Sequence, residues 1–336
     1  MIVAFGFRFG CLIGGRGNGR LPKKNVIEMF RNVIEMFRNV IEMFRNAVEM
    51  FRETGMNFIT IDNITAPELD AFSRISEAQL FRYYEPDVGI FLAESAYVVQ
   101  RALEAGYEPL TMLLETGRIE TEGRPVFETI ERIWGREKLD AIPIYTADHA
   151  IVTQLTGYAM VRGLWMTLRR KRETPVEEFC LDKRRVTVLY DVMNPTNVGA
   201  IIRSAAALGM DGALLTHASV DPLTRRSARV SMGTVFQIPW TKFTRAESEG
   251  TNPVRMLQSY GFKTVAMALT EDSTSVDNAE IRASEKLAVF MGTEGTGLPK
   301  EVIAACDYRV MIPMYHGVDS LNVAAASAIS FWELMK

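Results

Sequence analysis

The sequence has few of the side chains from which metal centres and disulfide frameworks are built. Its 336 residues include only three cysteines and three histidines. These six residues lie far apart in the chain: Cys11, His149, Cys180, His217, Cys306 and His316. No two of them have the close spacing of a zinc motif or of a disulfide framework. We therefore expect no metal site, and cysteines that stay reduced as they do in the cytoplasm.

Long apolar runs and an excess of one charge are missing as well. No stretch reaches the 18 or so consecutive apolar residues that a membrane span needs. The apolar start Met1–Phe7 is interrupted by Arg8 and lacks the basic residues of a signal peptide. Lysines and arginines number 38 against 41 aspartates and glutamates, which argues against a strongly cationic nucleic-acid binder but allows a local basic face. We predict a cytoplasmic protein without a membrane partner.

A seven-residue unit, Asn25–Arg31, is repeated almost unchanged up to residue 52. On a helix its apolar positions share one side, which would suit a coiled coil or a membrane-surface helix. Coiled coils rarely repeat their polar positions as well, so a tandem duplication in the coding DNA is the favoured explanation. Met56 is a plausible native start. We therefore treat residues 1–55 as a helical N-terminal extension that need not be native.

Between residues 56 and 168, predicted strands alternate with predicted helices, which favours a small α/β sandwich. The predicted strands are Val88–Leu92, Leu110–Leu114, Ile142–Tyr145 and Gly163–Leu168, and the predicted helices are Pro67–Tyr84, Ser95–Ala105, Pro125–Trp134 and His149–Leu155. The basic runs Arg169–Arg172 and Lys183–Arg185 predict an exposed linker over residues 169–185. Its charges either contact phosphates or stay solvated.

Residues 186–336 carry polar groups after several predicted strands. Val186–Tyr190 and Leu287–Met291 are continuous apolar runs, as is typical of buried parallel strands. The polar segments are Asn194–Arg203, Gly292–Leu298 and Ile312–Asn322. In open α/β sheets, ligands bind beyond the carboxyl ends of the strands. We therefore expect these segments to share one site.

Single residues in these segments also have structural explanations. Asn197 suits the N-cap of a helix that Gly209 ends. Arg203 lies among alanines and isoleucines, where it needs either an ion pair or a ligand. Glu294 could be an ordinary loop carboxylate, and Ser320 could cap the last helix. Only the combination of the three segments points to a site.

The glycines of Gly292–Leu298 could indicate a dinucleotide site and hence a nicotinamide oxidoreductase. That motif is G-x-G-x-x-G after the first strand of a βαβ unit, with an acidic residue about 20 positions later. Here the turn comes late in the chain and has Glu294 in its middle. The fit is poor.

Taken in order, the three segments resemble the motifs of the SpoU/TrmH family of RNA ribose 2′-O-methyltransferases, a branch of the SPOUT superfamily. The first motif, N-x-G-x-x-x-R-x-A, is met by Asn197, Gly199, Arg203 and Ala205. The second, G-x-E-x-x-G-L, is met by Gly292, Glu294, Gly297 and Leu298. The third, I-P-M followed by S-L-N, is met by Ile312, Pro313, Met314, Ser320, Leu321 and Asn322.

The resemblance covers residues 186–336 and departs from the family at two positions. His316-Gly317 stands where the family often has glycine followed by a variable residue, and Ala324 replaces a frequent serine. Neither position is central to a motif. The region 56–168 is more loosely similar to the L30e-like substrate-binding domain that precedes the catalytic domain in many family members.

This resemblance implies an α/β protein with a trefoil-knotted C-terminal SPOUT domain, a homodimer whose active site takes groups from both subunits, and bound S-adenosylmethionine. The residues it implies for the cofactor are Gly292, Ile312, Met314 and Leu321. Those it implies for catalysis are Asn197, Arg203, Glu294, Ser320 and Asn322. Because arginine stays protonated, Arg203 suits phosphate binding and stabilisation of alkoxide charge better than a general-base role.

The implied partner is RNA, ribosomal RNA in preference to transfer RNA, and not DNA. The arginines on one predicted helix, Arg225, Arg226 and Arg229, are either an RNA surface or a solvated face. The alternative function is a non-catalytic RNA-binding knotted dimer. The presence of Arg203, Glu294 and Asn322 argues against that alternative.

Overall fold

The computed structural model describes residues 31–36, 38, 55–63, 65–83, 88–156 and 163–336. The chain divides into two units, Met1–Thr54 and Gly55–Lys336. In the first unit, residues 31–36 are helical, as the heptad pattern predicts. The other residues of the predicted heptad helix lie outside the described residues, apart from residue 38, which is also helical.

The second unit begins with a five-stranded mixed sheet in the order β1-β4-β3-β5-β2. Strands β1, β3 and β4 are parallel to one another, and β5 is antiparallel to both β2 and β3. The strands are β1 (Phe58–Thr60), β2 (Ile90–Glu94), β3 (Pro109–Glu115), β4 (Ile144–Ala147) and β5 (Leu164–Arg169). The helices are α1 (Asp70–Ser73), α2 (Glu77–Phe81), α3 (Ala96–Glu104), α4 (Arg124–Trp134), α5 (Arg136–Ala141) and α6 (His149–Thr156). The predicted α/β alternation is confirmed.

The single helix predicted for Pro67–Tyr84 is wrong. A 3-10 turn at Pro67–Leu69 leads into α1, and α2 begins only after Ser76. The Ser76 hydroxyl accepts a hydrogen bond from the Gln79 backbone, and the Gln79 side chain accepts one from the Ser76 backbone. This capping box starts a new helix where the apolar periodicity alone suggests a continuous one.

The second sheet has seven parallel strands in the order β10-β12-β9-β11-β6-β7-β8. The strands are β6 (Arg185–Leu189), β7 (Gly212–Leu215), β8 (Trp240–Lys242), β9 (Lys263–Met267), β10 (Thr274–Ser275), β11 (Leu287–Met291) and β12 (Tyr308–Met311). The helices are α7 (Val176–Phe179), α8 (Pro195–Ala207), α9 (Arg225–Val230), α10 (Asn252–Ser259), α11 (Ala279–Arg282), α12 (Lys300–Ala305) and α13 (Val323–Leu334). Every residue of the central strand β11 is buried, as its continuous apolar sequence predicts.

The segment 169–185 is exposed over residues 171–175, as its charges predict, but the first two arginines of the run are held by acidic side chains. Arg170 is only 8% exposed, and its Nη2 lies 2.5 Å from Oδ2 of Asp221. Arg169 donates from Nε to Glu108 at 2.8 Å. Val176 belongs to the core around the seven-stranded sheet. Acidic partners far away in the sequence therefore fix Arg169 and Arg170, while Val176 anchors the segment to the core.

Two of the three arginines expected to form either an RNA surface or a solvated face lie within ion-pair distance of a glutamate of the first sheet. Glu94, at the end of β2, lies 3.4 Å from Nη1 of Arg229 and 3.9 Å from Nη2 of Arg225. The Arg225 backbone also donates to the Glu77 carboxylate at 2.7 Å. Burial raises the pKa of Glu77. These contacts occupy the charges of Arg225 and Arg229 within the protein.

Helices α8 and α9 approach each other at a glycine. A Cβ atom added to Gly199 would lie 2.5 Å from the carbonyl oxygen of Ser227. The Ser227 hydroxyl donates to the Pro195 carbonyl at 3.0 Å. Gly199 therefore fixes how closely α9 packs on α8.

We expect Gly199→Ala to destabilise the protein by about 1–3 kcal/mol, the usual cost of overpacking. Without this contact, alanine inside a helix would add about 1 kcal/mol of stability. Thermal unfolding should therefore show a lower Tm for Gly199→Ala and little change for Ala207→Ser, on the exposed surface of the same helix. A higher Tm for Gly199→Ala would mean that the helices do not meet at this residue.

Candidate active site

A cavity of about 400 Å³ opens at the carboxyl ends of three neighbouring strands, β9, β11 and β12. All four residues predicted to bind the cofactor line this cavity: Gly292, Ile312, Met314 and Leu321. Glu294 and Ser320, two of the predicted catalytic residues, line it as well. The cavity therefore joins the second and third sequence motifs, as expected for the carboxyl edge of a parallel sheet.

One wall of the cavity is a tight turn whose geometry requires glycine at positions 292 and 297. Thr293 and Gly297 exchange backbone hydrogen bonds of 3.3 and 3.1 Å across the turn. Gly297 has a φ of +67°, in the left-handed region. A Cβ atom on Gly292 would lie 2.4 Å from the carbonyl carbon of Gly297 and 2.5 Å from the nitrogen of Leu298. Gly292 is therefore required by the closure of its own turn.

Three predicted catalytic residues meet at one point, although they come from separate parts of the chain. The Asn322 amide donates to Oδ1 of Asn197 at 3.4 Å and to the Glu294 carboxylate. The Asn322 carbonyl oxygen accepts from the backbone of Ala324 at 2.9 Å and so caps α13. Because α8 packs against α13, Asn197 is 4% exposed at this junction. The first motif is thereby joined to the other two.

Two predicted helix caps are wrong. Helix α8 begins at Pro195, and its N-cap is Asn194, whose side chain accepts from the Thr196 backbone at 2.9 Å. Proline is favoured in the first turn, so the helix starts earlier than an N-cap at Asn197 would allow. The cap of α13 is Asn322 rather than Ser320. These shifts leave the Asn197 side chain available for Asn322.

Arg203 does not join this cluster within one chain. It lies six residues beyond Asn197 on α8, which places it about 9 Å along the helix and about 240° around it. It is exposed and lines a different cavity, of about 490 Å³. In the part of the chain that the structure describes, no carboxylate lies within ion-pair distance of it. The prediction that Arg203 faces the cavity of Gly292 and Leu321 is therefore wrong for a single chain.

The loop before α13 departs from regular backbone at the position where the sequence departs from the family pattern. His316 has a φ of +59°, and Gly317 has a φ of +73°. Glycine adopts this conformation without steric cost, whereas histidine is among the few other residues that tolerate it. Histidine at position 316 is therefore compatible with the left-handed backbone of this loop.

The wall of the cavity that β9 contributes was not predicted from the sequence. Met267, Ala268 and Leu269, at the end of β9, line it. They are ordinary apolar and small residues with no motif around them. The available signal was their position after a buried parallel strand, Lys263–Met267.

The described residues contain no group of three metal-binding side chains and no helix that is long and apolar enough to cross a membrane. Cys180 and Cys306 are free and buried. Burial raises the pKa of Cys180 to about 11 and that of Cys306 to about 12, so both remain protonated thiols at neutral pH. The described cysteines therefore do not supply a thiolate nucleophile.

Comparison with known proteins agrees with this geometry. Residues 184–332 match the model of the SpoU rRNA Methylase family. A tRNA/rRNA methyltransferase of Mycobacterium bovis, itself uncharacterised, is 31% identical over 268 residues, which span 80% of this chain and 88% of that protein.

Two solved structures share the fold. One is an rRNA methyltransferase from Sinorhizobium meliloti with bound AdoMet, with a TM-score of 0.67, 22% identity, and coverage of 82% of this chain and 97% of that one. The other is an RNA 2′-O ribose methyltransferase, with a TM-score of 0.61, 22% identity, and coverage of 83% and 98%. The relative that is 31% identical over most of both chains, together with the matching family model, identifies the chain as a member of the SpoU methylase family of RNA methyltransferases.

Proposed function

We propose that the protein transfers the methyl group of S-adenosylmethionine to the 2′-hydroxyl of a ribose in RNA. The observation that carries this proposal is the single cavity in which Gly292 and Leu321 meet, with Asn197, Glu294 and Asn322 at one junction beside it. Membership of the family supports methyl transfer to RNA. That the acceptor is the ribose 2′-hydroxyl is the more specific part of the proposal.

The lining of the cavity fits this cofactor. Ile312, Met314 and Leu321 give it apolar walls for the adenine ring, and Ser320 adds a hydroxyl near its rim. The turn Gly292–Gly297 forms another side of the cavity. When bound, the cofactor supplies an electrophilic methyl group. The AdoMet held by the structural neighbour from Sinorhizobium meliloti supports the choice.

The residues of this chain would act mainly by positioning the acceptor. Asn322 is held by three hydrogen bonds, to Asn197, Glu294 and Ala324, so its amide has one fixed orientation. Such an arrangement can place a ribose hydroxyl in line with the methyl group, and correct placement supplies a large part of the rate in transfers of this kind. Ser320 would contact the same sugar from the loop.

Arg203 requires a second subunit in this proposal. We propose a homodimer in which Arg203 of one protomer faces the cavity of its partner, binds the phosphate next to the reacting ribose and stabilises the developing alkoxide. Large exposed side chains on the loop before α13 and on α13 itself support an interface there: Tyr315 is 78% exposed and Trp332 is 59% exposed. The trefoil knot and the L30e-like nature of residues 56–168 belong to the same proposal.

Ribosomal RNA is the proposed substrate class, and the cytoplasm the proposed compartment. The additional five-stranded sheet would help to dock a folded RNA, which proteins recognise largely by shape and by contacts to 2′-hydroxyls. The match to a family described as rRNA methylases supports this choice.

The test is incubation with labelled S-adenosylmethionine and total RNA from a strain that lacks the gene. After digestion to nucleosides, label in ribose 2′-O-methyl nucleosides supports the proposal. Label on the bases would mean that the ribose 2′-hydroxyl is not the methyl acceptor. DNA from the same strain is the control and should stay unlabelled. RNA that binds without taking up label would favour the non-catalytic RNA-binding dimer.

A further inference from the structure

A second cavity, of about 490 Å³, lies where α3 of the first sheet region meets α8 and the turn after α9. Tyr97 and Arg101 on α3 line one part of it, and Arg203 on α8 lines another. Two guanidinium groups from the two sheet regions therefore share one cavity, and one of them belongs to the arginine of the first motif.

The Arg101 side chain is fixed in place. Its Nη1 donates to the carbonyl of Met232 at 2.7 Å, its Nη2 donates to the hydroxyl of Tyr97, and its guanidinium carbon lies 4.4 Å from the centroid of the Tyr97 ring. A Cβ atom on Gly233 would lie 3.0 Å from Cδ of Arg101, so a glycine leaves room for the side chain. Guanidinium has five N–H donors, of which these contacts use two.

Two guanidinium groups and one carboxylate line this cavity, which leaves it with a net positive charge. The acidic residue that lines it, Asp211, accepts from the backbone N–H groups of Arg184 and Arg185 at 2.7 and 2.8 Å. In the described ranges, no carboxylate lies within 4.0 Å of the guanidinium nitrogens of Arg101 or Arg203. A held arginine with unused donors, beside a second unpaired arginine, is suited to an anion with several oxygen acceptors.

We propose that Arg101 and Arg203 bind neighbouring phosphate groups of the RNA substrate, so that the first sheet region contacts the strand directly beside the methylated nucleotide. Tyr97 is a positioning residue that holds Arg101. The inference rests on the proposed function, because that function supplies the polyanion. It assigns a role in substrate binding to Arg101, a residue that lies outside the three motifs.

Arg101→Gln is the main variant, since glutamine can still donate to the Met232 carbonyl but carries no charge. We expect its KM for total RNA to rise about tenfold, the equivalent of one charge-assisted hydrogen bond, with kcat within about twofold of the wild type. Its RNA affinity should also depend less on salt, with the slope of log K against log salt reduced by about one. Arg101→Lys keeps the charge and should recover the salt slope and part of the affinity.

The matched control is Arg132→Gln, on the neighbouring helix α4, where the arginine is exposed and lies 3.4 Å from Glu104. Its KM and salt slope should equal those of the wild type. Filter binding of the same RNA, with S-adenosylhomocysteine present, measures affinity independently of methylation. If Arg101→Gln binds RNA with the wild-type affinity and salt slope, the inference is wrong, whether or not the protein methylates. If the wild type binds RNA through Arg101 but methylates nothing, the proposed function fails, and only the phosphate-binding role of Arg101 stands.

Discussion

Arg203→Ala should lower methyl incorporation by about 10²–10³-fold while leaving the fold intact. Loss of a group that stabilises developing oxyanion charge typically has an effect of this size. Arg203 is exposed and makes no ion pair in the described structure, so its removal leaves no buried partner unsatisfied. The defect should appear in kcat, with unchanged binding of S-adenosylmethionine by calorimetry.

The control for this variant is Arg245→Ala, another exposed arginine, which lies in the loop after β8. Its activity should equal that of the wild type. Arg203→Lys tests whether charge alone suffices, and we expect intermediate activity because lysine lacks the planar fork of arginine. Full activity in Arg203→Ala would mean that the Arg203 guanidinium takes no part in methyl transfer.

Mixing two inactive variants would show whether Arg203 acts across subunits. Arg203→Ala and Asn322→Ala change different parts of the proposed site. If each site combines Arg203 of one protomer with Asn322 of the other, a heterodimer has one intact site. An equal mixture, re-equilibrated, should then regain about one quarter of the wild-type activity, since half of the dimers are mixed and half of their sites are intact. No recovery would mean that both residues act within one chain.

Gly292→Ala should weaken binding of S-adenosylmethionine by at least about 100-fold, or roughly 3 kcal/mol. The added Cβ would lie 2.4 Å from the carbonyl carbon of Gly297, far inside van der Waals contact. Both atoms belong to backbone, so the clash can be relieved only if the turn opens. The turn forms one wall of the cavity, and its opening would displace that wall.

The control for Gly292→Ala is Lys300→Ala, an exposed position at the start of α12, just beyond the turn. Calorimetry should show wild-type affinity for this control. Circular dichroism and Tm would separate a local opening of the turn from general unfolding, because only the former keeps a cooperative transition. Wild-type affinity in Gly292→Ala would mean that the turn does not contribute to the cofactor site.

The sequence predicted structure correctly where the residues of one segment share the same burial or the same local backbone requirement. The strand Leu287–Met291 has the predicted bounds because a strand buried on both faces must be apolar at every position. The motif around Gly292 predicted a tight turn, and the turn is there. The four predicted cofactor residues also share one cavity, since parallel strands end at the same edge of a sheet.

Predictions failed where a residue's partner is distant in the sequence. Lys171 and Arg172 are exposed, as their run of charges predicts, yet Arg170 in the same run is buried and paired with Asp221. Arg225 and Arg229 were expected to form either an RNA surface or a solvated face, yet both lie within ion-pair distance of Glu94. A run of basic residues has the same local sequence pattern whether it stays in solvent or pairs with distant carboxylates. Only the tertiary contacts distinguish the two situations.

The sequence by itself determined the α/β class, the order of the motifs and the four predicted cofactor residues that line the cavity. Tertiary structure alone decided that Asn197 reaches Asn322 while Arg203, on the same helix, faces another cavity. A motif lists residues along one dimension, but a helix turns about 100° per residue and directs them to different neighbours. Which neighbours they meet depends on how α8, α9 and α13 pack, and that packing is fixed by contacts between segments far apart in the chain.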